Sequence, residues 1–187
     1  MANVKVKPDV KLDTNCFQHE ILELVSKQRS NTKKVSILQE YRNNALVSLF
    51  IWNFDDSVIS LLPPGDVPYA DIKEMTSVGG TLSDQVSRQI SGQEKSVGYN
   101  GVDGDIRRGR TSLRNEYDKL YNFVKGGNNT LSSIRRETMF INMLQGLDPK
   151  EAELLCLVKD KKLTDKYKIT WENVKEAYPD VRWGGRS

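Results

Sequence analysis

The stretch RTSLRNEYDKLYNFVKGGNNTLSSIRRETMFINMLQGLDPKEAELLCLVKDKK, Arg110 to Lys162, holds three helical patterns in a row, each with its own start or stop signal. Leu113, Tyr117, Leu120, Tyr121 and Val124 recur at helical spacing and predict one amphipathic helix. Gly126-Gly127 ends it, because glycine accepts the left-handed conformation of a helix C-terminus. Asn128 or Asn129 is the expected cap of the next helix, whose face is Leu131, Ile134, Thr138, Ile141 and Leu144. Met139, Phe140, Met143 and Leu147 widen that apolar arc, so this helix is expected to be central. Gly146 closes it. Asp148-Pro149-Lys150-Glu151 opens a third: aspartate as cap, proline at the first helical position, and Glu151 reaching back to the cap amide. Cations at Lys159, Lys161 and Lys162 suit the negative end of its dipole.

Working outward, residues 1–13 carry scattered Lys and Asp and read as a mobile leader. Thr14 or Asn15 is then expected to cap a helix bearing Phe17, Ile21, Leu24 and Val25, ending near Gln28. A second helix starts at Ser30, Asn31 or Thr32 and carries Val35, Leu38, Tyr41, Ala45, Leu46 and Leu49 as far as about Phe50. Trp52 and Phe54 are expected to be buried. Asp55 or Asp56 starts a helical turn with Val58, Leu61 and Leu62, which Pro63-Pro64-Gly65 stops. Beyond Lys162, Thr170 caps a short helix, WENVKEAY, that Pro179 ends; Trp171, Val174 and Tyr178 share a face. The closing VRWGGRS reads either as a docking tail or as a frayed end.

Between these halves the texture changes. Seven of the 13 glycines lie in Gly79–Gly109, among Ser, Gln, Asp and Arg, with few apolar residues. Residues 70–109 therefore read as a flexible linker or insertion, with a short helix near Ser83–Ile90. The fold class expected is all-α: a compact bundle of five or six helices with a long Gly/Ser-rich insertion. Residues 14–69 and 110–187 are expected to pack together as one domain.

The totals bound the function. In 187 residues, 37% are hydrophobic, and no apolar run approaches the roughly 20 residues that span a bilayer. The opening MANVKVKPDVKLDTN lacks a signal-peptide core, so a cytoplasmic protein is expected. Cys16 and Cys156 read as free thiols. With one histidine, His19, and no CxxC, no metal or other cofactor is expected. Glu116 with Asp118, and Glu151 with Glu153, are spaced by two and so fall on different helix faces. No phosphate loop follows from Gly101, Gly104 and Gly109, since no Gly-Lys-Ser/Thr is present. An enzyme is therefore not expected.

Charge points elsewhere. From Arg107 onward there are 17 Lys and Arg against 11 Asp and Glu; the rest has 11 against 14. A basic C-terminal half suits an anionic partner. The candidate nucleic-acid contacts are Arg107, Arg108, Arg110, Arg114, Arg135, Arg136, Lys159, Lys161, Lys162, Lys166 and Lys168, with Tyr117, Tyr121 or Trp171 available to stack on bases.

LLPPGDVPY, then YNFVKGGNNTLSSIRRETMFINMLQGLDPKEAELLCLVKDKKL, then YPDVRWGGRS together resemble a family of small uncharacterised proteins of large contractile-tailed bacteriophages, including those of marine cyanobacteria. The resemblance runs from Val35 onward. The segment from about Ile72 to Arg108 is longer and more polar than the usual connector of that family. The resemblance implies a context, not a chemistry: a phage product in an infected bacterial cytoplasm, or else in a virion. The function expected is a non-enzymatic accessory protein that binds phage or host replication or transcription machinery near nucleic acid. The alternative is a minor virion structural or assembly protein.

Overall fold

Residues 11–67 and 111–186 are described in the computed structural model of the chain. Among them are eight α-helices and one 3-10 helix and no β-strand, so the fold is all-α. The expected linker at 70–109 and the helix near Ser83–Ile90 lie outside the described residues. So do Arg107, Arg108 and Arg110.

The first helix, α1 (Gln18–Ser26), starts later than Thr14-Asn15 predicts. Those two residues form a turn instead, closed by the Cys16 N–H on the Asp13 carbonyl at 3.1 Å. Glu20 sets the start, accepting the Phe17 N–H at 2.7 Å. The next predicted helix is two: α2 (Asn31–Glu40) and α3 (Asn44–Phe54). Asn43 breaks it. Its side-chain oxygen accepts the Leu46 N–H at 2.9 Å, capping α3, and its amide donates to Gln18 Oε1 at 3.0 Å. The apolar spacing had run across the break because Leu38, Tyr41 and Ala45 keep helical intervals by coincidence.

After the second block opens, α4 (Leu113–Glu116) gives way at once to a 3-10 helix (Tyr117–Phe123). A period of three brings Tyr117, Leu120 and Phe123 into line. Phe123 is accordingly fully buried while Tyr121 is 53% exposed, the reverse of what an α-helix there predicts. The extended Val124 then forms an isolated antiparallel bridge with Ser60. Gly126 follows at φ +83, the left-handed turn its sequence announces.

Next comes α5 (Ser133–Gly146), capped by Ser132 rather than by Asn128 or Asn129. Asn128 closes its own turn, accepting the Thr130 N–H at 3.0 Å. The last elements are α6 (Pro149–Lys159), α7 (Leu163–Lys166) and α8 (Trp171–Ala177). Asp148 caps α6 through the Lys150 N–H, and Thr170 caps α8 through the Asn173 N–H, both as the sequence predicts.

The core centres on α3, not on α5. NALVSLFIWNF is apolar nearly all round, and α3 packs against both α4 and α6. Such a helix has no solvent face to spare, which places it inside. Trp52 of α3 lies 6.4 Å from Phe123 between ring centroids, and Phe123 meets Phe140 of α5 edge to face at 5.1 Å. On the far side α2 lies against α8, where the buried Tyr178 hydroxyl donates to the Leu38 carbonyl at 2.8 Å. Ile134, expected to face the core from α5, is half exposed. None of the described helices is long and apolar enough to cross a membrane.

Candidate binding cleft

The end of α6 shapes one wall of a cleft. Past Lys159 the chain reverses through Asp160 and Lys161, and Lys161 takes φ +58. Its N–H reaches the Val158 carbonyl at 3.0 Å, and the Lys162 N–H reaches the Leu157 carbonyl at 2.8 Å. That is the bond pattern of a helix terminus in which glycine usually takes the left-handed position. A lysine there carries a backbone cost of about 1 kcal/mol. Its side chain has a use: the Lys161 ammonium donates to the Asp55 carbonyl at 2.6 Å, across to the loop after α3. Burial pushes its pKa below the ordinary lysine range, against the pull of Asp56 and Asp55.

The opposite wall is the chain from Asp55 to Gly65. Val58 and Leu62 are buried, and Ser60 points inward, its hydroxyl accepting the Trp52 indole N–H at 2.7 Å and donating to the Lys159 carbonyl at 2.6 Å. Ile59 and Leu61 point outward, 43% and 37% exposed. This in–out alternation belongs to an extended segment, not to the helical turn predicted for Val58, Leu61 and Leu62. The pair Pro63-Pro64 was the available signal, because the residue before a proline is pushed towards extended conformations. Pairing with the other block completes the change: Leu61 N–H to Phe123 carbonyl at 2.9 Å and Lys125 N–H to Ile59 carbonyl at 2.8 Å.

Lys159 fastens the two walls. Its side chain is fully buried, and its ammonium donates to the carbonyls of Pro63 at 2.7 Å and Gly65 at 3.1 Å and to Asp160 Oδ1 at 2.6 Å. Asp160 Oδ2 in turn accepts the Gly65 N–H at 3.1 Å. Three donors on three acceptors satisfy the buried charge. The result is an open cleft of about 480 Å³, lined by Val58, Ile59, Pro64, Lys161 and Lys162 among others. Two sequence signatures read separately, LLPPGD and VKDKK, meet there.

The predicted basic contacts divide. Arg136 is buried, and its guanidinium donates to the carbonyls of Asn122 at 2.9 Å, Asn128 at 3.2 Å and Leu131 at 3.2 Å. Arg136 and Lys159 are thus corrections to the sequence reading: each closes a loop of this chain and offers no free head group to a ligand. Arg114 is half-buried and donates to the Cys16 carbonyl at 2.9 Å. Lys166 pairs with Glu153 at 2.7 Å. Arg135, Lys162 and Lys168 are exposed. Of the members of the set among the described residues, only Lys159, Lys161 and Lys162 line the cleft. Of the proposed stacking rings, Tyr121 and Trp171 are exposed; Trp171 carries the Lys175 ammonium 4.0 Å from its ring centre and meets Trp183 edge to face at 5.9 Å.

A second polar cluster sits where α1, α4 and α6 begin. Glu151 does not reach back to its own helix cap. It is fully buried and accepts the Leu113 N–H at 3.0 Å, so it caps α4, while its Oε1 has no hydrogen-bond partner. Burial, with Asp148 and Glu20 nearby, outweighs the Leu113 amide and Arg114 and pushes its pKa up to about 7. His19 lies 3.4 Å from Glu23 and 3.7 Å from Asp148. Cys16 is buried and Cys156 half-buried, and neither forms a disulfide. Among the described residues no three or more His, Cys, Asp or Glu side chains are grouped to hold a metal ion.

A family of unknown function, DUF6433, matches residues 21–82 and 83–165, and the chain belongs to that family. No curated protein and no solved structure matches it.

Proposed function

We propose that this DUF6433 member is a non-enzymatic accessory protein that binds phage or host replication or transcription machinery, close to nucleic acid, in an infected bacterial cell. The observation that carries the reading is the segment at the cleft: Ile59, which lines it, and Leu61, next to the lining, both face solvent from a stretch otherwise tied down on its inner side. Outward apolar side chains on a rigid frame are what a protein partner buries. The exposed Lys162 at the rim, with Arg135 and Lys168 elsewhere on the surface, favours an anionic neighbourhood. The phage context comes from the resemblance of LLPPGDVPY, the helical stretch and YPDVRWGGRS.

The test is capture of the tagged protein from infected cells, with and without nuclease, and mass spectrometry of what is retained. Polymerase or replisome subunits that survive nuclease treatment support the adaptor. Recovery that collapses with nuclease means that nucleic acid holds the protein there. Capsid or tail proteins alone overturn the reading and put a virion role in its place.

A further inference from the structure

We propose that the cleft takes an extended, acidic peptide segment of a protein partner, added as a strand alongside Ser60. The proposal rests on the adaptor reading and names the chemistry of what the cleft binds.

The bridge geometry supplies the backbone argument. Ser60 and Val124 face each other without bonding directly; the two hydrogen bonds run from their neighbours, Leu61 to Phe123 and Lys125 to Ile59. In such a pair the central residue's own N–H and C=O point away from the partner strand. Ser60 therefore presents one donor and one acceptor on the side opposite Val124, with no hydrogen-bond partner there among the described residues. An incoming strand satisfies both, which is how exposed sheet edges capture peptides. Ser60 itself is held in place: its hydroxyl is fixed between Trp52 and Lys159, so the edge is preformed.

The side chains supply selectivity. Ile59 in the cleft lining and Leu61 just outside it, two residues apart on one face, offer apolar contact to alternate residues of the incoming strand. Lys159 and Asp160 neutralise each other, which leaves Lys161 and Lys162 against Asp56 in the cleft lining. Lys125, paired across from Ile59, adds another exposed cation. The balance favours a peptide that carries carboxylates between its apolar residues and disfavours a basic one.

The experiment measures amide hydrogen exchange of the full chain with two synthetic peptides, one alternating valine with glutamate and one alternating valine with lysine. The acidic peptide is expected to slow exchange at Ser60, and the basic peptide to leave it unchanged. Ile59→Ser with Leu61→Ser, both at exposed positions, should remove the protection. Lys162→Glu should weaken binding about fivefold at low salt, as reversal of one rim charge does. Equal protection by both peptides, no protection by the acidic one, or a Ser60 amide already protected in the free protein overturns the proposal. If partner capture from infected cells succeeds while the acidic peptide fails, the adaptor reading stands and strand addition is wrong. If capture yields only capsid or tail proteins, the reading fails whatever the peptides do.

Discussion

Glu151 is a carboxyl group with one hydrogen bond and no access to water. Its pKa in the fold, about 7, lies above the ordinary 4.5, so the folded chain holds the proton more tightly than the unfolded chain. The stability linked to that proton is therefore complete below about pH 4.5 and is lost as pH rises towards 7. Glu151→Gln removes the titration. Relative to wild type, the variant should gain on the order of 3 kcal/mol in unfolding free energy between pH 4.5 and well above 7, read by urea denaturation. Comparing the two pH values cancels any packing cost of the amide. A difference that does not change with pH would mean the fold leaves the carboxyl at its ordinary pKa. Lys159 is a second case. Lys159→Met leaves Asp160 and two carbonyls without their shared donor, and should cost about 3 kcal/mol. Arg135→Met, at an exposed position, should stay within about 0.5 kcal/mol. In sequence the two cations look alike. Only the fold distinguishes a buried ammonium from a solvated guanidinium, because the carbonyls that Lys159 binds lie nearly a hundred residues away.

Elements were legible where the start signal was local. Asp148-Pro149 and Thr170 cap the helices they announce, and Gly126 turns the chain where a left-handed residue is needed. They were illegible where tertiary pairing decides. The 3-10 helix at Tyr117–Phe123 runs into an extended Val124 that pairs with residues 59–61, and no local propensity carries that pairing. For the same reason the cleft was half visible: its lysines stood out, but Ile59 and Leu61 read as part of a helical turn. The break between α2 and α3 was a missed cap, not a missed contact. Asn43→Ala removes the acceptor for the Leu46 N–H and should cost about 1 kcal/mol, measured by thermal or urea unfolding. No measurable loss would show that the break is held by packing alone.

At the scale of the molecule, the core joins residues from both described blocks, and the C-terminal segment closes onto the first of them. Asp55 gathers that closure: its Oδ2 accepts the Gly184 N–H at 2.9 Å and Arg186 Nε–H at 3.1 Å, while Oδ1 accepts from Ser57. Of the two readings of VRWGGRS, the docked one describes residues up to Arg186. Ser57, Gly184 and Arg186 hold the Asp55 pKa below the usual carboxylate range despite burial. The stability it contributes is thus present above the ordinary value of 3.8 and is lost as pH falls through the lower, folded value. Asp55→Ala should release the tail, seen as faster amide exchange at Gly184 and Arg186; unchanged exchange would place the anchor in Trp183 packing instead.

On the proposed function, a protein partner binds at the cleft beside Ile59 and Leu61. That binding is tested most directly by repeating the capture from infected cells with wild type and with Ile59→Ser/Leu61→Ser side by side, after nuclease treatment. Replication or transcription subunits should be retained by wild type and lost with the variant, which remains folded. Equal retention by both proteins would contradict it.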